Sequence, residues 1–97
     1  MDLLVTVSKK ESATILKPLL EACGRSNCRF EVFLTHHGVR VLNDNEITAL
    51  LNEVSDNSIA CHDSWVKHTA GEECPVTLGS QTNHSEMMAR AKRVISL

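Results

Sequence analysis

The amino-acid sequence predicts an α/β fold built on a mostly parallel five-stranded sheet. Short apolar, often β-branched runs alternate with stretches of helical periodicity in the order β-α-β-α-β-α-β-α-β. The segments joining successive apolar runs are too long for hairpins, so each strand returns by a crossover and lies parallel to its neighbours. A sheet wound this way carries helices on both faces. With 97 residues, 42% hydrophobic and 23% charged, the chain suits one globular domain, and coiled-coil, collagen-like and disordered readings do not fit.

The first strand is Leu3–Val7, and residues 8–12 follow with the polarity of a helix start. From 12 to 23 the apolar positions Ala13, Leu16, Leu19, Leu20 and Cys23 recur at spacings of three and four. Pro18 is expected to kink that helix or delay its start, and Gly24 to stop it. Phe30–Leu34 is the second strand, ended by a Thr35-His36-His37-Gly38 loop. The second helix has Ile47, Leu50, Leu51 and Val54 on one face, Asn43 or Asp44 as N-cap and Glu46 in its first turn. Asn57–Cys61 is a short buried strand between two polar breaks. Residues 62–70 form a helix with Trp65, Val66 and Thr69 inward, stopped at Gly71. Residues 75–78 are a strand, Gly79-Ser80 its turn, 82–92 a helix with Met87, Met88 and Ala91 on one side, and 93–97 the last strand.

Ten Lys plus Arg against twelve Asp plus Glu give a net charge of −2, without the basic footprint that phosphate-backbone binding requires, so no direct nucleic-acid binding is expected. No apolar run reaches the roughly 20 residues that span a bilayer, which argues against a membrane partner. The N-terminal segment has an acidic second residue and no basic region ahead of its short apolar run, so it does not resemble a signal peptide, and a cytoplasmic location is expected. The turn at 8–12 has no Gly-x-Gly-x-x-Gly or Gly-Lys-Ser/Thr, which disfavours nucleotide binding, and no cofactor is expected.

Cysteine and histidine stand out in a chain with three aromatic residues. There are four cysteines (Cys23, Cys28, Cys61, Cys74) and five histidines (His36, His37, His62, His68, His84). In a reducing compartment such thiols are free, metal-bound or catalytic rather than a disulfide framework. Right-handed crossovers place the turns at 8–12, 35–38, 61–64 and 79–84 along the carboxyl edge of the sheet, where α/β folds hold ligands. Cys61 opens a helix there, beside unpaired backbone N–H groups that favour thiolate. His62, Ser64, His36 and His37 are candidate auxiliaries, and the His62 and Asp63 amides are expected to stabilise the anion. Cys23 reads as core, Cys28 as a loop residue able to pair with Cys23 on oxidation, and Cys74 as lying at the opposite, amino edge. His68 and His84 read as surface helix positions, and Trp65 as core or subunit interface. No Cys-x-x-Cys, His-x-x-x-His or His-Glu-x-x-His spacing occurs, so no metal is expected, although a Cys/His metal site through His36, His37 and Cys61 is an alternative.

The segments Glu31-Val32-Phe33-Leu34-Thr35-His36-His37-Gly38-Val39, Ala60-Cys61-His62-Asp63-Ser64, Val76-Thr77-Leu78-Gly79-Ser80 and Arg93-Val94-Ile95-Ser96-Leu97 together resemble the DsrE/F-like (TusD-like) sulfur-relay family over nearly the whole chain. The resemblance implies a three-layer α/β/α sandwich in a single domain spanning residues 1–97. It also implies a sulfurtransferase-like carrier that holds sulfur as a persulfide on Cys61 and passes it from a donor protein to an acceptor protein, within a homo- or hetero-oligomer. The alternative from another class is a non-catalytic binding or scaffold subunit in which Cys61 is a small buried residue.

Overall fold

The computed structural model describes residues 1–97. Its strands are β1 (Leu3–Val7), β2 (Phe30–Leu34), β3 (Asn57–Cys61), β4 (Thr77–Gly79) and β5 (Arg93–Ser96), and its helices α1 (Ala13–Arg25), α2 (Asn45–Val54), α3 (His62–His68) and α4 (Gln81–Arg90). The five strands form one all-parallel sheet in the order β4-β3-β2-β1-β5. Interior β1 and β2 are mostly Val, Leu and Phe, interrupted by buried Thr6 and part-exposed Glu31, and are largely buried on both faces, as interior parallel strands must be.

The order of strands decides how the faces are covered. From β1 to β4 the chain steps one strand at a time in one direction, and right-handed crossovers then put α1, α2 and α3 on the same face. Fifteen buried side chains pack there, among them Val5, Leu20, Val32, Leu51 and Trp65. The last connection runs back across the whole sheet to β5 and places α4 alone on the other face, where only Leu4, Phe33, Ile59, Cys61 and Met87 form a core. The sandwich is therefore three-layered and lopsided. No helix is long and apolar enough to cross a membrane.

Several elements depart from the sequence expectations for reasons of packing. Helix α1 runs through Pro18 without a delayed start, a 3-10 turn at Lys10–Ser12 leading into it. Gly24 does not end α1; it lies where α2 crosses, and a Cβ there would stand 3.0 Å from Val54 Cγ1. The left-handed residue beyond the helix is Asn27, φ 57°. The loop expected at 35–38 is the start of an eight-residue 3-10 run, His36–Asn43, with Val39, Val41 and Leu42 buried. Gly38 in that run is obligatory, because a Cβ would sit 2.1 Å from the carbonyl oxygen of Val7 at the end of β1. Asp44 is the N-cap of α2, its Oδ1 accepting from the Glu46 and Ile47 amides.

Helix α3 stops at His68 rather than Ala70, and Val66 is 56% exposed instead of inward. Trp65 is core, its indole N–H donating to the Glu72 carbonyl at 2.7 Å. Gly79 belongs to β4 rather than to a turn, and Ser80 caps α4 in a reciprocal box with Asn83. On α4, Met87 faces the sheet and Met88 faces out.

Candidate functional site

Cys61 ends β3 and is the N-cap of α3. Pairing of Cys61 with Gly79 and of Ile59 with Thr77 sets the Cys61 side chain on the face covered by α4, the opposite face from α3 itself. The thiol thus lies where three chain segments converge at the carboxyl edge: the end of β2, the first turn of α3 and the first turn of α4.

The polar groups there form a connected set. The His36 amide donates to Ser64 Oγ at 2.8 Å, and Ser64 Oγ stands 3.5 Å from Thr35 Oγ1. The Gln81 carboxamide N–H donates to Thr35 Oγ1 at 3.1 Å. Because Ser64 Oγ already accepts from His36, its own hydrogen is left for Thr35 or for the Cys61 sulfur, and the second amide hydrogen of Gln81 is similarly free. Cys61 is 5% exposed, and that burial pushes its thiol up. The Ser64 hydroxyl and amide, the Gln81 carboxamide and the Asp63 amide outweigh it, so the thiol lies below the ordinary cysteine value. As a neutral thiol Cys61 makes no capping hydrogen bond. Its anion faces the amides that an N-cap side chain addresses, those of Asp63 and Ser64.

Of the residues proposed from sequence, Ser64 joins Cys61 and the other auxiliaries do not bring their side chains to it. His62 is exposed and turns toward Asp63, Nδ1 to Oδ1 3.8 Å, and its amide is not among the donors, which are those of Asp63 and Ser64. His36, at φ 51°, contributes its backbone N–H while its side chain is exposed. The His37 ring packs on His68, centroids 4.1 Å apart. The metal arrangement through His36, His37 and Cys61 therefore does not assemble, and no three His, Cys, Asp or Glu side chains gather elsewhere in ligating geometry. Cys74 and Asn57 line one hollow at the amino edge, away from Cys61. Cys23 is core, and Cys28 folds back over it, the Cys28 amide donating to the Cys23 carbonyl at 3.2 Å; both thiols are free.

Two groups at this edge escape sequence reasoning, and one is misassigned. Thr35 and Gln81 supply the hydroxyl and amide that tie β2, α3 and α4 together. His84 is not a surface residue: its ring stacks on Phe33 at 4.4 Å with 9° between the planes, and Nε2 hydrogen-bonds Thr6 Oγ1 at 3.0 Å. Burial holds its imidazole below the usual histidine value, favouring the neutral ring. The signal was spacing. Gln81, His84, Met87 and Ala91 lie three, three and four apart, so they share the stripe of α4 that faces the sheet.

Compared with protein-family models, with curated proteins and with solved structures, the chain matches none.

Proposed function

We propose that the protein is a sulfur carrier that holds sulfane sulfur as a persulfide on Cys61. The observation that carries this reading is the position of Cys61 as the buried N-cap of α3 at the carboxyl edge of a parallel sheet, beside Ser64, Gln81 and the Asp63 amide, which favour thiolate against the effect of burial. The Cys61 thiolate attacks the outer sulfur of a donor persulfide; a new S–S bond forms at Cys61 as the donor's S–S bond breaks, and the donor departs as a thiolate. The exchange is redox-neutral, and the same step in reverse on an acceptor thiol discharges the carrier. Gln81, the exposed first residue of α4, ties its carboxamide to Thr35 Oγ1 beside the thiol. The similarity of the Thr35-His36-His37-Gly38 and Cys61-His62-Asp63-Ser64 segments to the DsrE/F-like sulfur-relay family supports the same reading, with donor and acceptor proteins as partners, oligomeric assembly and a cytoplasmic setting.

The test is cyanolysis after incubation with a cysteine desulfurase and cysteine. Wild type is expected to release stoichiometric thiocyanate and Cys61→Ser almost none. Equal release from the two proteins would remove Cys61 from the role. The burial of Cys61 favours a second reading, a scaffold subunit with an inert core thiol; that reading requires an unreactive native Cys61, and fast reaction at Cys61 excludes it.

A further inference from the structure

On the α3 side of the carboxyl edge, the 3-10 run His36–Asn43 packs against the Lys10–Ser12 turn and α3. Two adjoining cavities of about 300 and 340 Å³ open there. Lys10 and Arg40 line both; His68 and Asn43 complete one, and Ser8, Lys9 and His37 the other. The run buries Val39, Val41 and Leu42, which draws Arg40 between them into a half-buried position. Its Nε donates to the His68 carbonyl at 3.2 Å, which fixes the guanidinium plane and leaves the terminal nitrogens free.

Arg40 has no carboxylate partner, although Glu11 and Glu72 line the same cavities, and neither Lys9 nor Lys10 is ion-paired. A cation held rigidly by a carbonyl, shared by two cavities and unpaired beside available acids, is arranged for an external anion. The His37–His68 pair stands next to it, and the His68 imidazole is held below its usual value by burial and then by the positive charges of His37, Lys67, Arg40 and His36.

We infer that the Lys10–Arg40 pocket binds a compact dianionic oxyanion such as a phosphate monoester or sulfate, with Arg40 as the bidentate anchor and Lys10 as the second cation. Glu72 and Glu11 each line one of the two cavities, and their negative charge disfavours a phosphodiester strand running across the edge. Cys61 lies on the other face of the sheet, so the inference does not depend on the persulfide reading.

Amide and imidazole NMR shifts test it, with inorganic phosphate, sulfate and chloride titrated at constant ionic strength. Phosphate and sulfate are expected to give saturable shifts centred on Lys10, Arg40, His37 and His68, while chloride gives none. Arg40→Gln, and separately Lys10→Gln at an exposed position whose side chain makes no hydrogen bond or ion pair, are expected to weaken phosphate binding about tenfold each. Unchanged melting of the Lys10→Gln protein keeps the result interpretable if Arg40→Gln unfolds. Shifts spread evenly over all lysines, an equal response to chloride, unchanged binding by Lys10→Gln, or an oligonucleotide that binds more tightly than phosphate would each overturn it.

Discussion

Cys61 and Cys74 are the same residue type at opposite ends of neighbouring chain segments, and their thiols move in opposite directions. Burial raises both. At the amino edge only the Val76 amide opposes it and Cys74 stays above the ordinary value, while at the carboxyl edge Ser64, Gln81 and Asp63 reverse it for Cys61. Cys23, buried in the thick core beside Cys28, also goes up. Burial raises a thiol in this protein, and only at Cys61 do neighbouring donors reverse it. The difference lies in where parallel strands end: at the carboxyl edge the first turns of α3 and α4 present unpaired N–H groups and polar side chains, and at the amino edge the helices arrive with carbonyls.

The most damaging way to break the contrast is to move the edge itself. Gly38→Ala drives a Cβ into the Val7 carbonyl and displaces the turn that carries Thr35 and the His36 amide. A loss of about 3 kcal/mol is expected in denaturant unfolding, and the surviving folded fraction should show Cys61 reacting like Cys74. A smaller effect is expected from Ser64→Ala, which removes a donor to Cys61 and orphans the His36 N–H. Cys61 alkylation at pH 7 should slow about tenfold, as expected for losing one charge-assisted hydrogen bond, with Cys74 unchanged.

The subtlest consequence is a stability slope above pH 9. For Cys74 and Cys23 the folded value lies above the 9.0 of an ordinary thiol, so the unfolded chain ionises first and stability falls as pH rises through that window. For Cys61 the folded value lies below 9.0; its contribution is complete above that value and is lost as pH falls through the folded one. Cys74→Ala should therefore flatten the decline in melting temperature above pH 9, whereas Cys61→Ala should remove a gain in stability between the folded Cys61 value and 9.0 and leave the slope above pH 9 unchanged.

Much of this arrangement is legible in the residues. Alternating strand and helix patterns place all five strands, and Cys61 at the start of α3 follows from the break between β3 and the Trp65 helix. Strand order is a matter of which helix covers which face, and no local pattern carries it; so the position of α4 alone over Cys61, and of Gln81 against Thr35, emerges only in three dimensions. Gly24 misleads because its purpose is room for Val54, a tertiary contact. His84 misleads because its chemistry suggests surface, although its place on the stripe with Met87 and Ala91 points inward. His36 and His37 misleadingly suggest imidazole at the thiol, whereas the 3-10 run turns one side chain to solvent and packs the other, tilted, against His68.

Cys61 is the thiol whose surroundings most favour ionisation. Alkylation of the native protein with iodoacetamide across pH 5–10, followed by mass spectrometry of each cysteine separately, is the decisive measurement, because the pH midpoint of each rate profile follows ionisation while its plateau follows access. Cys61 is predicted to titrate below an ordinary thiol, with Cys23 and Cys74 above it. A Cys61 midpoint at or above those of Cys23 and Cys74 would contradict the account.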